Sequence, residues 1–130
     1  MRRILIAGSR NFDNYDFLKE KCDEILENKL SFENFDGVEI ISGKARGADT
    51  LGERYCFERE FTLKEFPADW NRFGKSAGFK RNLQMGEYLK EKTDSLAIVF
   101  WDGISKGSLN MIHICKGMGI ECKIITYSNV

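Results

Sequence analysis

Residues 42 to 49, Ser42-Gly43-Lys44-Ala45-Arg46-Gly47-Ala48-Asp49, constrain the fold of this chain more than any other stretch. They follow the apolar residues Val38, Ile40 and Ile41 and open a segment with Ala48, Leu51, Gly52, Tyr55 and Cys56 at helical spacing. A strand that delivers a glycine-rich turn into a helix start has the outline of an anion site. Gly43 and Gly47 permit close backbone approach, and the first N–H groups of a helix have no partner inside it. Arg46 adds a fixed fork of donors suited to phosphate or carboxylate. The same features also serve ordinary strand-to-helix loops. The stretch gains functional weight only if other turns join it.

Two other glycine turns do recur. Ile4-Leu5-Ile6-Ala7, a continuous apolar run expected of a central strand, ends in Gly8-Ser9-Arg10. Asp13 or Asn14 caps a helix with Leu18, Cys22, Ile25 and Leu26 on one face, fading near Asn28 or Lys29. Leu30 to Asp36 is expected to be a loop with Phe32 and Phe35 lying against the fold. Val38 to Ser42 is the second strand and Gly47 to about Phe61 the second helix. Thr62 to Phe66 reads as an edge strand, and Pro67 to Gly74 as a long loop of the kind that carries function. A helix from about Ser76 is expected to turn Phe79, Leu83, Gly86 and Leu89 inward. Leu96 to Phe100 is another buried strand, delivering Trp101 to Ser108 as the third glycine-containing turn. The last helix carries Met111, Ile112, Cys115 and Met118 inward and ends at Gly117 or Gly119. Ile120 to Thr126 closes the sheet, and the final four residues are expected to fray.

Strands alternating with helices imply a parallel sheet with right-handed crossovers, here an α/β fold of five strands in the order 3-2-1-4-5. Residues 1–130 form one expected domain, with no repeats or linkers. Ligands of such sheets sit beyond the carboxyl ends of the strands where the winding reverses, between the first and fourth strands. Gly8-Ser9-Arg10 and Gly103 to Ser108 then flank one crevice, with Gly43 to Asp49 beside it. That juxtaposition points to a nucleotide-sized anionic ligand.

Composition narrows the alternatives. Twenty basic and twenty acidic side chains cancel, so no bulk positive field advertises nucleic acid. Arg72 to Arg81 nevertheless holds four bases and no acid, a candidate local anion site. Cys22, Cys56, Cys115 and Cys122 lie far apart, and His113 is the one histidine. No metal site or disulfide framework is expected from that set. The first three cysteines fall on apolar helix faces and read as buried thiols. No membrane span or signal peptide is expected, which places the protein in the cytoplasm.

Six motifs in order, Gly8-Ser9-Arg10, the Gly43–Asp49 loop with Arg-Gly-Ala-Asp, Phe66-Pro67-Ala68-Asp69-Trp70, Gly74-Lys75-Ser76-Ala77-Gly78, Arg81-Asn82 with Met85, and Lys106-Gly107-Ser108 with Met111-Ile112, closely resemble the YspA-like branch of the SLOG superfamily. That superfamily is the Rossmann-like group that includes Lonely Guy enzymes and DprA. The resemblance runs from Ile4 to about Ile125 and implies a three-layer Rossmann-like domain that binds a nucleotide or nucleotide-derived molecule. Lonely Guy phosphoribohydrolases cleave the N-glycosidic bond of nucleoside monophosphates with an arginine and a glutamate. Arg81 is the implied counterpart of the arginine, while the glutamate position falls at Met111, or at Asn110 if slipped by one. Hydrolysis would then need Asp49, Asp69 or Asp102 as substitute, because an oxocarbenium-like transition state calls for a nearby carboxylate.

The candidate ligand residues are therefore Gly8, Ser9, Arg10, Gly43, Arg46, Gly47, Ala48, Trp70, Lys75, Asn82, Lys106, Gly107 and Ser108, with Arg81, Asp49 and Asp69 as candidate catalytic groups. Arg10 leaves a strand end, where a buried arginine requires an anion. Arg46 either meets ligand or pairs with Asp49 or Glu53. Asp49 serves the helix dipole, a ribose or catalysis. Trp70 stacks on a base or plugs the core edge. Lys75, Lys80 and Arg81 are the expected phosphate clamp. The expected ligand is of nucleoside phosphate, NAD or ADP-ribose type, bound by a sensor or sequestering module. The alternatives are an N-glycosidic hydrolase and, least favoured by charge, a DprA-like nucleic-acid binder. No cofactor is expected. Homo-oligomers are expected from the resemblance.

Overall fold

In the computed structural model the strand order is β3-β2-β1-β4-β5, and every neighbouring pair is parallel. The structure describes residues 1–29 and 37–128. The expected loop Leu30 to Asp36, with Phe32 and Phe35, lies outside them. In chain order the elements are β1 (Arg2–Gly8), α1 (Tyr15–Lys29), β2 (Val38–Ser42), α2 (Ala48–Glu58), β3 (Thr62–Glu65) and α3 (Trp70–Phe73). A 3₁₀ turn (Gly74–Ser76) then leads into α4 (Ala77–Lys90), β4 (Leu96–Trp101), α5 (Lys106–Met118) and β5 (Glu121–Thr126).

The apolar runs of β1, β2 and β4 hide a period of two. Ile4, Ile6, Ile40 and Ile98 face α1 and α2, packing with Leu18, Cys22 and Tyr55. Leu5, Ala7, Ile41 and Ala97 face α4 and α5, packing with Met85, Leu89, Met111 and Cys115. A sheet covered on both faces selects strands with no polar face, as β1 and β4 show. Cys22, Cys56 and Cys115 are buried free thiols, as expected.

Three expectations fail locally. Phe79 and Leu83 point outward, while the buried face of α4 is Ala77, Arg81, Asn82, Met85, Gly86 and Leu89. Two hydrogen-bonded polar residues take core-facing positions there, which rotates the apolar pair away from the sheet. The stretch after Pro67 contains a helix, because Asp69 caps α3 by accepting the Arg72 N–H at 3.1 Å. Of the final four residues, Asn129 and Val130 lie outside those described, while Tyr127 is held rather than frayed, its ring 4.7 Å from Phe12 and its hydroxyl donating to Asn11 Oδ1 at 2.5 Å.

Candidate functional site

Three chain reversals meet at the carboxyl edge of β1 and β4. After β1 the chain turns at Gly8, whose hydrogen could not be replaced by a methyl: a Cβ there would lie 2.2 Å from the Phe100 carbonyl oxygen. Ser9 donates its N–H to that same carbonyl at 2.9 Å, so the turn is riveted to β4. Gly47, the residue before α2, has φ +79°, and a Cβ there would sit 2.3 Å from the Ser9 carbonyl oxygen. Ala48 N–H reaches the same oxygen at 3.4 Å. The first and second turns are thus packed backbone to backbone.

The third turn begins at Asp102. Its Oδ1 accepts the N–H groups of Ile104 at 2.9 Å and Ser105 at 2.8 Å, and its Oδ2 accepts from Asn11 Nδ2 at 3.1 Å. These bonds hold the Asp102 carboxyl below the usual carboxylate range. They also aim the start of α5 at the first turn: Asp102 N–H donates to Ser9 Oγ at 3.2 Å, and Ser9 Oγ lies 3.4 Å from Ser108 Oγ. No side chain caps α5, and a Cβ on Gly107 would meet nothing within 4 Å. An uncapped helix start beside two hydroxyls has the partial positive charge and the free N–H donors that an anion requires.

These turns border a crevice of about 410 Å³. Its opposite wall comes from α3, the 3₁₀ turn and α4: Trp70 and Phe79, 49% and 47% exposed, with Lys75 and Gly78. The Arg10 guanidinium lies 5.7 Å from the Trp70 ring centre. Met85 and Met111 supply an apolar floor.

Of the candidates from sequence, Gly8, Ser9, Arg10, Asp49, Trp70, Lys75, Asn82, Gly107 and Ser108 line the crevice. Gly43, Arg46, Gly47, Ala48, Asp69, Arg81 and Lys106 do not. Arg10 is exposed, so it needs no buried anion. The Arg46 and Lys106 side chains are exposed away from the crevice walls. Glu53, one expected partner of Arg46, instead accepts from Ser42 Oγ at 2.7 Å and Lys44 Nζ at 3.2 Å. Ala48 is fully buried, and Asp69 is the cap of α3.

Arg81 stands behind the wall, 8% exposed. One of its terminal nitrogens donates to the Gly43 carbonyl, and its Nε donates to Asn82 Oδ1 at 3.0 Å. Asn82 Nδ2 in turn donates to the Gly107 carbonyl at 3.2 Å and to Asn110 Oδ1 at 2.9 Å. A continuous polar chain therefore runs from the Gly43 turn through α4 to the first turn of α5. Burial lowers the Arg81 pKa, opposed by the nearby Asp49 charge and reinforced by Arg10.

Asp49 is 4% exposed yet reaches the crevice. Burial pushes its carboxyl up to about 6, against the pull of N–H groups from Ala45 (3.2 Å) and Gly8 and of the Arg81 charge. Met111, at the position where the resemblance places a glutamate, is buried in the floor at 1% exposure.

Sequence reasoning did not single out Ala7, Asn11, Gly78, Phe79, Met85 and Met111 as crevice residues, whereas Ala45 and Ser105 lie in the two turns expected there and Asp102, a candidate carboxylate, also lines it. Asn11 directly follows Arg10 and was recoverable by extending the turn one residue. Met85 and Met111 carry no signal that separates a pocket floor from ordinary core. Among the described residues there is no group of three metal-ligating side chains, and no helix long and apolar enough to cross a membrane.

The parallel sheet, its order and the glycine turns at the point of reversal define a Rossmann-like α/β protein with a crevice at the switch point. The chain belongs to the YspA, cpYpsA-related SLOG family, whose profile matches residues 2–73. It is also 33% identical over 91 residues to the Gene 61 protein of Mycobacterium phage D29, an alignment covering 65% of this chain and 68% of that protein.

Proposed function

We propose that this crevice binds a nucleotide or nucleotide-derived ligand, of nucleoside phosphate, NAD or ADP-ribose type, as a sensor or sequestering module. One observation carries the reading: the uncapped start of α5, with Ser9 and Ser108, shares a crevice with two exposed aromatic rings, Trp70 and Phe79. The first suits a phosphate and the second a planar base. Lys75 and Arg10 add positive charge on the same walls. Family membership agrees with a nucleotide-related ligand.

Thermal unfolding with a millimolar panel of nucleoside phosphates, NAD and ADP-ribose tests this. A ligand at 100 times its Kd adds about 2.7 kcal/mol and raises Tm visibly. An unchanged Tm with every member rejects the reading.

N-glycosidic hydrolysis is the second reading, favoured by Asp49. A crevice carboxyl pushed up to about 6 is suited to general acid–base work near neutral pH. Free base among the products of the bound nucleotide supports hydrolysis, and intact ligand supports the sensor.

The buried free thiols of Cys22, Cys56 and Cys115 suit a reducing compartment and support a cytoplasmic setting. Assembly into homo-oligomers is also part of the proposal, carried over from the resemblance to SLOG proteins. Sedimentation velocity decides it: a species heavier than one chain supports it, and a monomer at all concentrations removes it.

A further inference from the structure

We propose that Asp49 sets the sugar specificity of the crevice by accepting a hydrogen bond from a ribose hydroxyl, so that ribonucleotides bind in preference to deoxyribonucleotides. The inference rests on the nucleotide reading above and adds to it which part of the ligand meets which wall.

An ionised carboxylate offers about four acceptor positions. Asp49 spends part of that capacity on the N–H groups of Ala45 and Gly8. Arg81, the cation nearest to it in α4, directs its described hydrogen bonds to the Gly43 carbonyl and Asn82, and so acts on Asp49 as a countercharge. Acceptor capacity therefore remains on a carboxyl that lines the crevice. The other acids nearby are committed: Asp102 accepts from Ile104, Ser105 and Asn11, and Glu53 from Ser42 and Lys44.

Asp49 suits a hydrogen-bond donor rather than a phosphate, which would meet a negative charge in a poorly hydrated place, and the donor a nucleotide offers beside its phosphate is a sugar hydroxyl. Its position identifies the donor. Gly8, which bonds Asp49, immediately precedes Ser9, whose hydroxyl faces Ser108 at the start of α5. The residue that bonds Asp49 and the residue that faces α5 are thus consecutive in the chain, which sets the acceptor wall beside the anion turn. In a nucleotide the group next to the phosphate is the sugar, and the base lies beyond it. A phosphate at α5 and a base against Trp70 and Phe79 leave the sugar hydroxyls for Asp49.

The groups that set its ionisation are Arg81 from α4, Glu53 from α2, and Arg10 acting through Arg81. Lys75 and Asp102 complete the charged residues on the crevice walls. Acceptance weakens as Asp49 takes up a proton, so discrimination should fade on acidification.

The test is calorimetry with AMP, 2′-deoxy-AMP, 3′-deoxy-AMP and IMP, on wild type and Asp49→Asn, at about pH 7.5 and about pH 5. The wild type should bind AMP at least about tenfold more tightly than one deoxy analogue at the higher pH, as expected for a hydrogen bond to a charged acceptor. IMP should bind like AMP. The gap should shrink at the lower pH and in Asp49→Asn. Should Asp49→Asn fail to fold, the wild-type comparison alone decides. Equal affinity for AMP and both deoxy analogues overturns the inference while leaving nucleotide binding intact. Selection of AMP over IMP with no sugar preference also overturns it, by assigning Asp49 to the base. Absence of binding by all four rejects the nucleotide reading for these monophosphates, and this inference with it.

Discussion

Gly47 and Gly107 are neighbours of the same crevice, and replacing each by alanine separates folding from binding. At Gly47 a side chain faces both φ +79° and a Ser9 oxygen 2.3 Å from the new Cβ. Gly47→Ala should cost at least about 2 kcal/mol, read as a lower urea midpoint. At Gly107 the new methyl enters open space in the first turn of α5. Gly107→Ala should leave stability unchanged or raise it by about 0.5–1 kcal/mol, yet weaken nucleotide binding by crowding the anion turn. The same scale fixes a pH dependence. Asp49 titrates near 6 in the folded chain, above its ordinary value of 3.8, so the folded state holds this proton longer than the unfolded state. Its contribution to stability is therefore greatest below about pH 4 and is lost, by roughly 3 kcal/mol in all, as pH rises through about 6. Carbon-13 NMR of the Asp49 carboxyl should show a midpoint near 6; a midpoint near 4 would contradict its burial. Asp102 runs the other way, its contribution present above the ordinary carboxylate value and lost as pH falls.

Among the elements, α4 ties the crevice together and was the least legible. The pattern Phe79, Leu83, Gly86, Leu89 has helical spacing, and periodicity alone turns it inward. The structure rotates the helix so that Arg81 and Asn82 face the core, because each finds partners there: Gly43 for one, Gly107 and Asn110 for the other. Those partners lie 25 to 38 residues away in the chain, beyond the reach of any local pattern. α3 escaped for a different reason, since four residues are too few to show a period. By contrast β1, β2 and β4 were legible because a strand covered on both faces has only one composition available to it. The element-scale prediction concerns the α4 anchor. Arg81→Met leaves the Gly43 carbonyl, Asn82 and the Asp49 charge without their partner, and should cost about 3 kcal/mol in urea unfolding. Gly86→Val should also destabilise, by about 1–3 kcal/mol, since a Cβ there would lie 2.5 Å from Ile114 Cγ2 on α5.

At the scale of the molecule, alternation of strands and helices predicts a parallel sheet, and the Rossmann-like order 3-2-1-4-5 then predicts where the turns converge. The crevice location was therefore readable from the sequence, whereas which side chains line it was not. Arg46, Lys106 and Arg81 sit in or beside the converging segments, but side-chain direction depends on packing that only the three-dimensional arrangement supplies. A second, larger depression of about 740 Å³ lies between Asn11–Phe17 and Thr126–Ser128. It lacks an uncapped helix start and the Trp70 wall, which favours the smaller crevice for ligand. Amide chemical-shift mapping with AMP and ADP-ribose separates the two sites most directly. Binding in the smaller crevice predicts saturable shifts at Ser9, Gly78, Gly107, Ser108 and the Trp70 indole. Shifts confined to Asn14, Phe17 and Tyr127, or no shift with either ligand, would contradict it.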